Sequence, residues 1–108
     1  IARGEASSPG IGIVPFNPGI VARNGIKGVV VHQVRRNSPA AQAGLQPLSE
    51  RTGKIGDIIT AVNGRPVDTL STFIAELDRA GIGNSADFTI KREGKERKER
   101  IKIIDTSR

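Results

Sequence analysis

At 108 residues the chain has the length of one ordinary domain and too little sequence for a second hydrophobic core. It has no Cys, Met, Trp or Tyr, which excludes disulfide staples and thiolate metal sites and leaves a core of Ile, Val and Leu with three Phe. Its net charge of +6 raises an acidic partner such as nucleic acid, yet much of that charge lies between Lys91 and Lys102, where Glu93, Glu96 and Glu99 interrupt the Lys and Arg.

In chain order, residues 1–9, with Gly4, Ser7, Ser8 and Pro9, read as a linker into a domain that runs from Gly10 to the end. Both ends look like cuts in a longer chain. Ile11-Gly12-Ile13-Val14 reads as a short apolar strand, after which Pro15, Pro18 and Gly19 break the pattern and Ile20 to Arg23 make one loose turn. Gly28 to Arg35 is rich in β-branched residues and predicts a strand with Val29, Val31 and Val34 facing inward. Ser38-Pro39-Ala40-Ala41-Gln42-Ala43-Gly44 has a capping Ser, Pro at the first helical position and Gly past the end, a compact helix signature. A polar loop from Gln46 to Ile55 precedes a strand over Asp57 to Val62, closed by Asn63-Gly64.

Leu70, Phe73, Ile74 and Leu77 recur at helical spacing, with a cap among Asp68, Thr69 and Ser71 and with Gly81 as stop. Phe88 to Arg92 and Arg100 to Ile104 are expected to pair across the Glu93-Gly94-Lys95 turn. No apolar run approaches the roughly 18 residues of a membrane span. The order of elements predicts an α+β domain, a small partly open β-barrel or sandwich of five to six strands capped by two helices.

Three segments in this order resemble the PDZ domain of HtrA/Deg-type, trypsin-like serine proteases. Gly10-Ile11-Gly12-Ile13 is similar to that family's carboxylate-binding loop, and Asn37 to Leu45 to its Ser-Pro-Ala-Ala helix with an Ala-Gly-Leu end. The most specific segment is Gly56-Asp57-Ile58-Ile59-Thr60-Ala61-Val62-Asn63-Gly64-Arg65-Pro66-Val67. Two departures stand out: the Gln46 to Ile55 insertion, and Gly10 where the family often has a large residue, which is expected to loosen the loop.

The resemblance implies a PDZ-like fold and a peptide-binding module that captures hydrophobic C-termini or exposed segments by β-strand addition. It also implies a serine protease domain upstream as partner and a periplasmic or otherwise extracytoplasmic location. A peptide carboxylate loses water on docking and needs several donors aimed at one point, which Gly12 would allow the amides of Ile11, Gly12 and Ile13 to supply. The peptide groove is expected to comprise Val14, Pro15, Leu70, Ile74 and Leu77, with Ile11, Ile13, Ile74 and Leu77 as candidates for the pocket of the last side chain and Leu77 and Phe73 better read as core. Leu70 stands where some PDZ domains carry a His that reads Ser or Thr third from the peptide's end, so an apolar residue is expected there. No cofactor, metal ion, catalytic residue or nucleic acid enters this reading.

Two other readings fall short on residues. Gly83-Asn84-Ser85-Ala86-Asp87 faintly resembles a trypsin-like nucleophile loop but lacks its following glycines, and the chain's one His, His32, is expected at the solvated or core edge of its strand. A basic surface of Lys91, Arg92, Lys95, Arg97, Lys98, Arg100 and Lys102 for nucleic acid is the alternative, weakened by the interleaved Glu and by the absence of a stacking aromatic.

Overall fold

A computed structural model describes residues 8–106. Its strands are β1 (Pro9–Gly10), β2 (Ile13–Pro15), β3 (Val29–Val34), β4 (Asp57–Val62), β5 (Arg65–Pro66), β6 (Ser85–Arg92), β7 (Lys95–Lys102) and β8 (Ile104–Asp105). Its helices are α1 (Pro18–Arg23), α2 (Pro39–Gln42) and α3 (Leu70–Ala80). The main sheet is antiparallel in the order β2-β3-β4-β6-β7, with β5 paired to β4. Residues just before β2 and just after β7 pair with each other as β1 and β8, drawing the two edges of the sheet together at one end. The result is the open α+β barrel expected from the sequence.

Each helix forms where local chemistry starts and stops it. Ser38 Oγ caps α2 by accepting from the Ala41 amide at 3.1 Å, and Pro39 occupies the first turn, where an N–H would have no partner. Thr69 Oγ1 caps α3 from the Thr72 amide at 3.2 Å, and Gly81 ends it at φ 96°. The buried stripe of α3 is Phe73 and Leu77, which join Ile59, Phe88, Ile90 and Ile101 in one hydrophobic core. The Phe73 and Phe88 rings meet at 6.4 Å.

Four details differ from the sequence reading. Pro9, at the end of the expected linker, pairs with Asp105 as part of β1; residues 1–7 of that linker fall outside the described residues. The first strand begins at Ile13 and takes in Pro15, because Ile11 is wholly buried in the core and Gly12 turns the chain. The loose turn is a third helix, α1: Asn17 Oδ1 accepts from the Gly19 and Ile20 amides and Val21 is buried beneath it. The hairpin is longer than its apolar pattern, because Arg92 pairs directly with Lys95 across a two-residue turn with Glu93 at φ 52° and Gly94 at φ 81°. Charged side chains from Lys95 to Arg100 are compatible with a strand at the sheet's edge, and Ile104 leaves the hairpin to pair with Gly10.

Asp57 is a wholly buried carboxylate at the start of β4. Arg92 grips it with two bonds, Nε to Oδ1 at 2.7 Å and Nη2 to Oδ2 at 2.9 Å, while the Gln46 amide donates to Oδ2 at 2.8 Å. Arg97 stands 3.6 Å away. Burial alone would raise the Asp57 pKa, but the Arg92 and Gln46 bonds and the two guanidinium charges outweigh it and hold the carboxyl below its ordinary 3.8. A depressed carboxyl stabilises the fold above the unfolded value and loses that contribution as pH falls through the folded one. Asp57→Asn should therefore lower the unfolding free energy by about 3 kcal/mol at neutral pH. Urea denaturation across pH should show the gap between wild type and variant steady above about pH 5 and narrowing below about pH 4. A gap independent of pH would mean that the charge of Asp57 is immaterial.

Candidate functional site

The edge of β2 that faces away from β3 is unpaired in the sheet. The Arg35 amide donates to the Gly12 carbonyl at 2.7 Å, and the Phe16 amide to the Val30 carbonyl at 2.8 Å. Backbone groups alternate along a strand, so Gly12, Val14 and Phe16 face β3 while Ile13 and Pro15 face the open edge. Val14 stands opposite Gln33 in this register, so its backbone is committed to β3 and does not line the edge as expected from the sequence. Pro15 presents a carbonyl there but no N–H.

The loop ahead of β2 is held from behind. The Ala40 amide in α2 donates to the Ile11 carbonyl at 2.9 Å, as Arg35 does to that of Gly12. In a trans peptide the N–H points opposite to the carbonyl, so the amides of Gly12 and Ile13 are aimed away from α2 and β3. Among the described residues none accepts from the Ile11 or Gly12 amide. Gly12 has φ 96°, and a Cβ there would overlap the Ser38 side chain, so the sequence needs Gly for both torsion and space. Gly10, expected to loosen the loop, is instead paired with Ile104 and lies so close to Thr106 that a Cβ would come within 2.8 Å of Cγ2.

The side chains expected to form the last-residue pocket divide. Ile11 and Leu77 are fully buried and offer no surface to a ligand; Leu77 is core, as its alternative reading held. Ile13 and Leu70 are half-buried against that core, and Ile74 is 41% exposed one turn beyond Leu70. Pro15 and Phe16 from the end of β2 and Thr69 and Leu70 from the start of α3 line a common hollow. This hollow, extending beneath α1, was not foreseen, because α1 itself had no clear apolar period.

Other candidates are dispersed. His32 in β3 meets Glu50 of the insertion at 2.6 Å and the Phe16 ring edge-on at 5.3 Å, while Ser85 opens β6, with β4 lying between the two strands. Of the basic residues, Arg92 and Arg97 turn to Asp57, Arg100 pairs with Asp87, and Lys91 stands opposite Glu96. Among the described residues no cluster of His, Cys, Asp or Glu could hold a metal, and no helix is long and apolar enough to cross a membrane.

A family model described as the PDZ domain matches residues 9–103. The chain is a PDZ domain of the HtrA type. Its curated relatives include the periplasmic serine endoprotease DegP of Salmonella typhimurium, 35% identical over 64% of this chain and 13% of that protein. The chloroplastic Protease Do-like 1 of Arabidopsis thaliana is 33% identical over 93% of this chain and 23% of its own length. The chain thus spans less than a quarter of either relative. Among solved structures, the HtrA-type protease AlgW with a decapeptide superposes at TM-score 0.69 with 20% identity, over 98% of this chain and 32% of that one, a likeness of fold. The HtrA3 PDZ domain bound to the phage-derived ligand FGRWV superposes at 0.61 with 25% identity, over 94% and 88%. The PDZ portion of such proteins is non-catalytic, and the PDZ family is one of peptide-binding modules.

Gly12→Ala combines a left-handed backbone with an overlap on Ser38, and is expected to cost about 2 kcal/mol. In a Ser38→Gly background the same change should cost less, because the overlapping side chain is gone. Thermal melts of the four proteins check this, and equal costs in both backgrounds would remove the contact with Ser38 as the reason for glycine.

Proposed function

We propose that this PDZ domain captures peptides ending in hydrophobic residues by adding them as an antiparallel strand to the open edge of β2. The amides of Ile11, Gly12 and Ile13 receive the terminal carboxylate. The observation that carries this reading is the orientation of the Gly12 and Ile13 amides, turned away from the carbonyls that α2 and β3 hold. Ile13 then accepts from and donates to the peptide, Leu70 and Ile74 border it from α3, and Leu77 supports them from the core. Leu70 offers no hydrogen-bonding atom, so the third-last residue of the ligand is apolar.

The role proposed for this capture is substrate recognition or regulation of an HtrA-type serine protease, with the protease domain as partner and an extracytoplasmic compartment such as the periplasm as location. Pairing among the cations of β6 and β7 favours this reading over nucleic-acid binding.

Pro15 limits the affinity. The peptide carbonyl that would accept from its position has no N–H to meet, forfeiting about 0.5–1.5 kcal/mol. Binding is expected at micromolar strength or weaker, about −8 kcal/mol. In isothermal titration, amidating the peptide's C-terminus should abolish binding and Pro15→Ala should tighten it severalfold; equal binding of free and amidated peptides would overturn the carboxylate assignment. Leu70→His should shift selection from a C-terminal peptide library toward Ser or Thr at the third-last position, and an unchanged profile in a folded variant would remove Leu70 as a reader.

A further inference from the structure

The hollow at the far end of the groove has a chemistry that the rest of the groove lacks. It encloses about 90 Å³ between α1 and the start of α3, with Val21, Val29 and Val30 as apolar wall and Pro15 and Phe16 as its lip toward β2. Asp68 is its one charged lining residue. Asp57, Glu76, Asp87 and Glu99 each have an Arg partner, whereas Asp68 is exposed and has no ion pair among the described residues. Arg23 and Lys27 lie at the end of α1 and ahead of β3, and neither lines the hollow.

Strand geometry sets which ligand residue arrives there. Side chains two apart share a face and are separated by roughly 6.6 Å, so if the third-last residue faces Leu70, the fifth-last lies one step further, past Leu70 and over the hollow. An aliphatic side chain there covers the half-buried Phe16 and Leu70 but does nothing for Asp68, and an acidic one meets a like charge. Lys and Arg carry an apolar stem with a cationic tip and satisfy both.

We infer that the hollow between α1 and α3 selects a basic residue at the fifth-last position of the ligand, its stem against the half-buried Phe16 and Leu70 and its cation at Asp68. This rests on the C-terminal capture proposed above. The preference is modest, because Asp68 is solvated and Arg23 and Lys27 oppose it, and it weakens with salt.

The test is isothermal titration of the intact chain with free-ended peptides that share an apolar C-terminus and carry Lys, norleucine or Glu at the fifth-last position, at low and at physiological ionic strength. Lys should bind about threefold more tightly than norleucine and Glu more weakly than either, with the spread shrinking as salt rises. Asp68→Asn should bring the Lys and norleucine peptides to the same affinity. Equal affinities for Lys and norleucine in the wild type, or a Lys preference that survives Asp68→Asn, overturns the inference. Binding that requires the free carboxylate yet is blind to the fifth-last residue sinks this inference alone, whereas failure of all three peptides to bind sinks the capture reading with it.

Discussion

The buried Asp57 carboxylate is the point at which the separate parts of the domain are tied. A charge with no solvent exposure is tolerable only when its lone pairs are filled, and here they are filled by groups from distant segments: Arg92 at the end of β6, the Gln46 amide after α2, and Arg97 on β7. Arg92 also donates from Nη2 to the Gly44 carbonyl at 3.0 Å, so one guanidinium spans β4 and the C-terminal side of α2. Removing either partner leaves the other's desolvation uncompensated, which makes the cluster cooperative.

Its reach extends to the proposed site through α2. This helix has four residues and little stability of its own, so its position depends on what holds its two ends. Ser38 secures the first end by capping it and by donating to the Arg35 carbonyl at 2.7 Å, and the Arg92–Gly44 bond secures the other. From that position the Ala40 amide fixes the Ile11 carbonyl, and the Gly12 N–H of the same peptide plane is thereby aimed outward. The amides proposed to bind the ligand are backbone groups that no side chain can replace, and a chain of hydrogen bonds reaching a fully buried carboxylate orients the Gly12 amide among them.

How much of this was legible in the sequence varied with the physics of each segment. Caps and glycines announced α2 and α3, and the apolar run over Asp57 to Val62 announced β4, because their signals are local. The extent of the hairpin was hidden: seven of the eight residues of β7 are charged, and only the register set by the Glu93-Gly94 turn carries pairing through them. Gly12 could be read as a loop glycine, but that its missing Cβ makes room for Ser38 depends on a contact across twenty-six positions. Ile11 stood among the pocket candidates, and Leu77 with it though better read as core, because an apolar side chain beside a groove and one beneath it have the same identity; burial alone separates them. The hollow under α1 was invisible for a related reason, since Val21 joins Val29 and Val30 in lining it only once α1 lies against β3.

The two free edges of the sheet are managed in opposite ways, and the difference supports the proposed edge over the other. Along β7 nearly every side chain is charged, which penalises pairing with another chain at any register. β2 carries no charge, and its protection consists of being three residues long and containing Pro15. A fully protected edge would refuse peptides, and a fully exposed one would pair with other copies of the chain. Pro15 removes one donor at the second open position while leaving its own carbonyl and the Ile13 amide and carbonyl free, so a ladder added as proposed would be complete for one repeat and one bond weaker in the next. In the proposed capture, recognition would then come from what flanks that repeat, the loop ahead of β2 on one side and the side chains at the start of α3 on the other. That division favours short, weakly held ligands whose ends are read closely over long ones held by backbone pairing.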